Sequence, residues 1–204
     1  MDRTRAETVI AEKAALRDRM KAWRRSQDAE LRPLHSAAIC ARVRALPLWT
    51  PTPVCWLFHA MPTEVDVAAL TPLGTPCWPV VVGRGLPLLL RGAGPVLRGP
   101  FGIRQPSPEC PEVDRHNVDV VIVPGLAFDP GGGRLGMGAG FYDRTLANMT
   151  AIRVGVCFEG QLVDRVPTTD HDLNMHWMVT ERRTIHVAQQ VMQPTDRSTP
   201  HGSQ

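Results

Sequence analysis

The order of apolar and polar residues at the start of the chain has the period of an α-helix. A helix is predicted over residues 8–25, and its apolar stripe consists of Val9, Leu16, Met20 and Trp23. A second helix is predicted from Asp28, a favourable N-cap residue, to Leu46, which precedes a proline. The pattern therefore predicts an N-terminal pair of helices.

After this pair the pattern changes to short segments that are apolar throughout. These segments predict strands at residues 54–59, 78–82, 86–90, 118–123, 152–158 and 176–180. Short helices are predicted after residue 63 and over residues 141–149, and the Gly- and Pro-rich residues 83–111 predict a long excursion with turns. Apolar strands that alternate with helices are typical of a parallel sheet whose two faces are both covered.

The predicted fold is therefore α/β with three layers, in which helices lie on both faces of a mainly parallel central sheet. Residues 1–190 are predicted to form a single domain, because a chain of 204 residues can bury one sizeable core. The polar residues 191–204 are expected to be a disordered tail.

Composition and charge limit the kinds of molecule that the protein is expected to bind. The net charge of +3 is small and spread along the chain, which does not favour nucleic-acid binding. No apolar run approaches the roughly 20 residues that span a bilayer, and the charged N-terminus does not resemble a signal peptide. The five cysteines stand singly, so reduced and mostly buried thiols are expected. A cytoplasmic protein with no membrane or nucleic-acid partner is expected.

One segment, PGLAFDPGGGRLGMGAGFYDR at residues 124–144, concentrates the candidate chemistry. It lies between a predicted strand and a predicted helix, where α/β proteins bind ligands. Its later glycines would let backbone N–H groups approach an anion, so phosphate is the leading candidate, with Asp143 available for Mg²⁺. The segment lacks the P-loop ending and the dinucleotide-binding spacing of glycines. On spacing alone, a flexible surface loop with a helix cap is the alternative.

Within this segment, RLGMGAGFYDR strongly resembles the R-L-G-x-G-x-G-[YF]-Y-D-R signature of the 5-formyltetrahydrofolate cyclo-ligases, a family also called methenyltetrahydrofolate synthetases. Further segments resemble motifs of the same family: KAALR, MPTEVDV, FGIRQP, VDVVIVPGLAFD, FEGQLVDRVPTTDHD and MVTE. They occur in the family's order from residue 13 to residue 181. The set is far more specific than a glycine pattern alone.

The resemblance implies an enzyme that closes a ring at the expense of ATP. The family converts 5-formyltetrahydrofolate to 5,10-methenyltetrahydrofolate with Mg²⁺, by phosphorylating the formyl oxygen, and releases ADP and phosphate. The resemblance also implies a fold similar to the sugar-phosphate isomerase and CoA-transferase group, a small-molecule substrate and a monomer.

Positions that match the family's motifs imply the site residues. The implied ATP-binding residues are Lys13, Arg17, Arg134, Leu135, Gly136, Met137, Gly138, Ala139, Gly140, Phe141 and Tyr142. The implied folate-binding residues are His59, Glu64, Met137, Gly138, Ala139, Gly140 and Phe141. Arg134 and Tyr142 are the implied catalytic residues, and Asp143 and Asp172 the implied Mg²⁺ ligands. The substitution Asp143→Ala is accordingly expected to abolish activity with Mg²⁺ and ATP and to leave stability near its original value.

Three positions depart from the family pattern. Gln105 stands where Glu is usual, Ala139 stands where some members carry a basic residue, and His176 stands where Asp is common. These departures leave open a folate- or nucleotide-binding paralogue with little or no catalysis. A third interpretation, a basic helix that binds nucleic acid through residues 19–25, is weakened by Trp23, which belongs to the apolar stripe.

Overall fold

A computed structural model describes residues 3–169 and 172–187. The chain begins with two helices, α1 (Arg3–Ser26) and α2 (Leu31–Arg44), which confirms the predicted helical pair. Helix α1 starts five residues earlier than predicted. Asp28 lies in the turn before α2, where its carboxylate accepts a hydrogen bond from the Glu30 N–H at 2.8 Å.

The strands of the described residues follow the helical pair. They are β1 (Val54–Trp56), β2 (Thr75–Val80), β3 (Leu89–Arg91), β4 (Val96–Arg98), β5 (Arg104–Pro106), β6 (Glu112–Val113), β7 (Val120–Pro124), β8 (Ala127–Phe128), β9 (Arg134–Leu135), β10 (Ile152–Val156), β11 (Trp177–Val179) and β12 (Thr184–His186). A third helix, α3 (Phe141–Leu146), lies between β9 and β10.

The central sheet contains eight strands in the order β12-β11-β10-β7-β1-β2-β3-β6. The five strands from β11 to β2 in this order are parallel to their neighbours. β12 runs antiparallel to β11, β3 runs antiparallel to β2, and β6 runs antiparallel to β3. The prediction of a mainly parallel central sheet is confirmed.

Strand β7 shows why the sheet needs cover on both faces. Val120 and Ile122 pack in one core with residues of α2, whereas Val121 and Val123 pack in a second core with Leu146 of α3. All four valine and isoleucine side chains are buried, as expected for a central strand that lies between two helical layers. The predicted three-layer arrangement is therefore present.

Helix α1 packs against segments that follow the carboxyl ends of the parallel strands. Leu16 and Met20 contribute to a third core with residues 126, 127 and 135, which follow β7. The ring of Trp23 lies so close to Gly160, which follows β10, that a Cβ there would come within 2.1 Å of it. This packing places the charged residues of α1 beside the glycine-rich segment.

Several predicted boundaries are wrong. The helix predicted after residue 63 is a turn that contains Glu64, and a short 3-10 helix (Ala68–Leu73) begins only after Asp66, whose side chain accepts the Ala68 N–H at 3.0 Å. Strand β2 ends at Val80 because the next N–H, that of Val81, bonds the side chain of Gln105 at 3.1 Å.

The remaining boundaries shift by a few residues. The strand predicted at 54–59 ends at 56, that at 86–90 lies at 89–91, and the helix predicted at 141–149 ends at 146. The excursion over 83–111 contains β3 and the two-stranded ribbon of β4 and β5. The tail predicted over 191–204 lies outside the described residues.

The five cysteines are free and buried, as predicted. Burial raises the pKa of the Cys40 and Cys55 thiols to about 11 and that of Cys77 to about 12, so these thiols are uncharged at neutral pH. Among the described residues, no helix is both long enough and apolar enough to cross a lipid bilayer.

Candidate active site

The first glycines of the segment at residues 124–144 serve the fold. Asp129 accepts hydrogen bonds through Oδ1 from the N–H groups of Gly131 (2.8 Å) and Gly133 (3.0 Å), and through Oδ2 from that of Val166 (2.8 Å). A Cβ at Gly133 would come within 2.4 Å of the Asp129 carboxylate. These glycines therefore close a turn around a buried carboxylate, a role that the sequence analysis did not identify.

The later glycines form the glycine loop, which we define as residues 136–140, between β9 and α3. Gly138 and Gly140 have φ values of +105° and +67°, which side chains with a Cβ rarely adopt. Met137 is 51% exposed between them. The backbone of the loop is therefore accessible, and backbone N–H groups in such a loop can bind an anion.

Helix α1 brings two cations to this loop and to the segment after β10. The Nε atom of Arg17 donates to the carbonyl oxygen of Gly136 at 3.1 Å. The Nζ atom of Lys13 donates to Oδ2 of Asp172 at 2.5 Å, and Thr169 donates to the same oxygen through its N–H and its hydroxyl. Three elements that are distant in sequence thus meet at one place.

Arg134 faces the interior of the protein. It is 7% exposed, and its guanidinium donates to Oδ1 of Asp143 at 2.8 Å and to the carbonyl oxygen of Pro124 at 3.2 Å. The Cζ atom of its guanidinium lies 5.4 Å from the centre of the Tyr142 ring. Its Nε is buried and has no hydrogen-bond partner among the described residues. Arg134 thus connects Asp143 to Tyr142.

Tyr142 stacks on Trp56 with a centroid distance of 5.1 Å and an angle of 15° between the rings. Burial raises the pKa of the Tyr142 phenol, and the charge of Glu64 raises it further, while Arg134 opposes the shift. The phenol is therefore a neutral hydrogen-bond donor at physiological pH.

His59 lies beyond the end of β1. It stacks on Trp78 with a centroid distance of 5.5 Å and an angle of 4°. Burial and the charge of Arg104 lower the pKa of His59, so its ring is neutral at pH 7. Two buried ring nitrogens, Nε2 of His59 and Nε1 of Trp56, lack hydrogen-bond partners among the described residues. Unpaired buried polar atoms of this kind are costly unless a ligand or water satisfies them.

Glu64 lies in the turn that the sequence predicted as a helix. Its Oε2 accepts the N–H of Met61 at 3.0 Å, and its Oε1 lies 3.6 Å from Nη2 of Arg24. Burial raises the pKa of the Glu64 carboxyl, while the Met61 N–H and Arg24 oppose that shift. Arg24, which lies in the basic segment at residues 19–25, is 3% exposed.

The two carboxylates implied as Mg²⁺ ligands are held by different cations, Asp143 by Arg134 and Asp172 by Lys13. The observed bonds use one oxygen of each, Oδ1 of Asp143 and Oδ2 of Asp172. The described residues contain no group of three or more His, Cys, Asp or Glu side chains that could hold a metal ion. Mg²⁺ is commonly held by one or two carboxylates together with phosphate oxygens and water. The donor set therefore fits Mg²⁺ that arrives with a nucleotide.

Phe101 is an aromatic residue that lies near the glycine loop and belongs to none of the predicted site residues. It is 67% exposed and has a φ of +60° in the turn between β4 and β5. Its ring centre lies 6.4 Å from that of Phe141, at the end of the glycine loop. The sequence GPFG, in which glycines lie on both sides of Pro100 and Phe101, predicts a tight turn that would expose this ring.

The departures from the family pattern have local explanations in the fold. Gln105 supplies a side-chain oxygen to Val81, a bond that Glu could also make. The backbone oxygen of Ala139 accepts a bond from Arg144 at 2.6 Å. His176 accepts the N–H of Arg153 through Nδ1 at 2.9 Å. None of these contacts involves the groups that hold Asp143 or Asp172.

A family model described as the 5-formyltetrahydrofolate cyclo-ligase family matches residues 79–181. A 5-formyltetrahydrofolate cyclo-ligase of Mycolicibacterium smegmatis is 41% identical over 108 residues, which cover 50% of this chain and 56% of that protein. One of Escherichia coli is 46% identical over 66 residues, which cover 31% of this chain and 36% of that protein. The chain thus spans about half the length, or less, of the curated relatives it matches.

The comparison of structures covers more of the chain. A 5,10-methenyltetrahydrofolate synthetase of Aquifex aeolicus has a TM-score of 0.76 and 30% identity, over 93% of this chain and 96% of that one. One of Mycoplasma pneumoniae has a TM-score of 0.69 over 83% of this chain and 98% of that one, and at 18% identity it supports the fold alone. With its motifs, its fold and half of its length matched, the chain belongs to the 5-formyltetrahydrofolate cyclo-ligase family.

Proposed function

We propose that the protein closes 5-formyltetrahydrofolate to 5,10-methenyltetrahydrofolate with ATP and Mg²⁺. The observation that carries this proposal is the meeting of Arg17 with the glycine loop and of Lys13 with Asp172. Both cations come from one helix and reach the two places that the family's motifs associate with phosphate and metal. Family membership and the names of the relatives support the same reaction.

In the proposed reaction the formyl oxygen attacks the γ-phosphorus of ATP, the bond from that phosphorus to the bridging oxygen breaks, and ADP leaves. N10 then forms a bond to the formyl carbon and loses its proton. The carbon–oxygen bond breaks, and its electron pair leaves with inorganic phosphate. The products are 5,10-methenyltetrahydrofolate, ADP and phosphate.

On the nucleotide side, Lys13, Arg17 and the glycine loop bind the phosphates. Lys13 would bind the phosphates through its positive charge, and the glycine loop would bind them through its backbone N–H groups. Asp143 and Asp172 would hold Mg²⁺, which when bound neutralises charge on the transferring phosphoryl group. Arg134, behind Asp143, keeps that carboxylate and the Tyr142 ring in place.

On the folate side, Glu64 and the buried ring nitrogens offer hydrogen bonds to a flat heterocycle. An ionised Glu64 can accept two N–H groups from the amino-pyrimidinone edge of the pterin. His59 and Tyr142 are both neutral, so each can donate or accept without a charge that opposes the substrate. The glycine loop and Phe141, which match family positions for both ligands, would contact the folate as well as the nucleotide. We propose that the protein acts as a cytoplasmic monomer on this small molecule, without a nucleic-acid or membrane partner.

The test mixes purified protein with 5-formyltetrahydrofolate, ATP and Mg²⁺ and follows the near-ultraviolet absorbance of the methenyl product. An increase that needs both ATP and Mg²⁺ is expected. Lys13→Met should lower the rate by at least about 100-fold, as loss of a group that stabilises transferring charge does. Lys21→Met is the matched control, since Lys21 is the only other lysine and lies on the same helix.

The absence of product, with folate or ATP binding still measurable, would overturn the enzyme proposal and support the binding paralogue. The same rate in Lys13→Met and Lys21→Met would remove Lys13 from the nucleotide site. Light scattering of the purified chain tests the expected monomer.

A further inference from the structure

Arg24 makes an unusual set of contacts for a charged side chain. It lies near the end of α1, and its side chain is 4% exposed. Its Nε donates to the carbonyl oxygen of Thr63 at 2.9 Å, and its Nη2 donates to the Thr63 hydroxyl at 2.8 Å. The same Nη2 lies 3.6 Å from Oε1 of Glu64. Arginine is rarely buried this fully unless it is paired, and all three contacts are to one turn.

The position and the charge of the Glu64 carboxylate depend on these contacts. Its side chain is 10% exposed, and the Met61 N–H holds only one of its oxygens. The charged and titratable groups around it are Arg24 from α1, Tyr142 from α3, and Arg32 from α2, whose guanidinium donates to Pro62 at 3.3 Å. Arg24 is the cation that approaches the carboxylate at 3.6 Å, and it opposes the rise in the pKa of Glu64 that burial causes.

We propose that Arg24 is a positioning residue for the folate: it fixes the turn at residues 61–64 to α1 and holds the Glu64 carboxylate as an anion that accepts the pterin N–H groups. This inference rests on the proposed function, because it assumes that Glu64 contacts the folate. The family motifs assign no role to Arg24, and the sequence pattern included it only in the basic segment at residues 19–25.

The position of Arg24 on α1 allows two effects of its substitution to be distinguished, a displacement of the whole helix and the loss of the Arg24 contacts alone. Lys13 and Arg17 on the same helix reach the nucleotide side, while Arg24 reaches the folate side. At 1.5 Å per residue, Lys13 and Arg24 are about 16 Å apart along the helix. A displaced α1 would therefore weaken the binding of ATP and folate together, whereas loss of the Arg24 contacts alone would weaken only the binding of folate.

The experiment compares Arg24→Gln, Arg24→Lys and the exposed neighbour Arg25→Gln. Dissociation constants for 5-formyltetrahydrofolate and for ATP are measured from pH 5 to 9. Arg24→Gln should weaken folate binding at pH 7 by about 10- to 100-fold, the usual effect of losing hydrogen bonds to a charged group. ATP binding should stay within about twofold of the unsubstituted protein. Arg25→Gln should change neither constant.

The pH dependence supplies a readout that a merely structural role would not change. Folate binding requires ionised Glu64, so in Arg24→Gln the acid side of the binding profile should move to higher pH, and affinity should recover as pH rises. Arg24→Lys keeps the cation and should restore the profile. Glu64→Gln should remove the acid limb, and Arg24→Gln should add little in that background.

Equal weakening of ATP and folate binding in Arg24→Gln, with an unchanged pH profile, would overturn the inference. Independent, additive effects of Arg24→Gln and Glu64→Gln would also overturn it. If the unsubstituted protein does not bind 5-formyltetrahydrofolate, the proposed function fails first, and the inference fails with it.

Discussion

The Nζ atom of Lys13 lies 2.5 Å from Oδ2 of Asp172, although 159 positions separate the two residues. Burial alone would raise the pKa of Asp172, but the hydrogen bonds from Lys13 and Thr169 hold it below its usual value. The pair therefore keeps both charges in place at the edge of the site. In the proposed function, Lys13 would bind phosphate and Asp172 would hold Mg²⁺ when the nucleotide is present.

The first prediction concerns the stability of this pair. Lys13→Met should lower the free energy of unfolding by about 1–3 kcal/mol, because Asp172 loses a charged donor in a partly buried place. In a double-mutant cycle with Asp172→Asn, measured by denaturant unfolding, the second substitution should cost less than it does alone. Strictly additive losses would contradict a direct contact between the two side chains.

The second prediction concerns Asp143 and revises the sequence expectation that Asp143→Ala leaves stability unchanged. The Arg134 side chain is 5% exposed and bonds Asp143, so removing the carboxylate leaves a buried positive charge without its partner. Asp143→Ala should lower the free energy of unfolding by about 3–5 kcal/mol. Asp143→Asn should cost less, since its amide oxygen can still accept from Arg134.

Both Asp143 variants should lose activity with Mg²⁺ and ATP, and calorimetric unfolding separates this loss from instability. Asp143→Asn is the informative variant, because it keeps the hydrogen bond and removes the charge. Full turnover by a folded Asp143→Asn protein at saturating Mg²⁺ would exclude Asp143 as a metal ligand.

The third prediction concerns Phe101. Its ring is exposed and its φ is +60°, a strained combination that indicates a functional contact with a ligand. Phe101→Asn should leave stability unchanged or slightly higher, because Asn adopts this backbone region more easily. The KM for the folate should rise about 3- to 10-fold if the ring covers the substrate beside Phe141. Leu97→Asn, another exposed apolar residue on the same ribbon, is the matched control. Equal changes of KM in both variants would argue against a specific contact.

The fourth prediction concerns pH. Burial, and then the charges of Arg153 and His186, lower the pKa of His176 below 6.5. The folded protein therefore prefers neutral His176, whose Nδ1 accepts the Arg153 N–H. Its contribution to stability is complete above pH 6.5 and is lost as the pH falls toward the lower folded value. His59, with a pKa lowered in the same direction, adds to the effect.

His176→Asn keeps an acceptor near Nδ1 without a titratable ring. Unfolding curves from pH 7.5 to 5 should therefore show a smaller loss of stability in this variant than in the unsubstituted protein. The same pH dependence in both proteins would show that His176 is not protonated on unfolding.

Much of the fold could be predicted because periodicity is a local property. Helix α1 and the buried strand β7 were predicted within a few residues, since the apolar pattern of each reports which face is covered. The turn with Glu64 could not be predicted. EVDVAAL has a helical pattern, but Arg24 binds that turn, and the Ser36 hydroxyl oxygen of α2 accepts a hydrogen bond from the Asp66 N–H. Such tertiary bonds override local propensity.

The family, the order of helices and strands and the position of the glycine loop can be inferred from the sequence, because each of these depends on contiguous residues. Which charges meet depends on the packing of the folded chain. It paired Lys13 with Asp172 and Arg24 with a turn 39 residues further along the chain, and it placed Asp129 rather than a ligand inside the first glycines. Such contacts join residues far apart in the chain, and the packing of α1 across the strand ends is what brings them within hydrogen-bond distance.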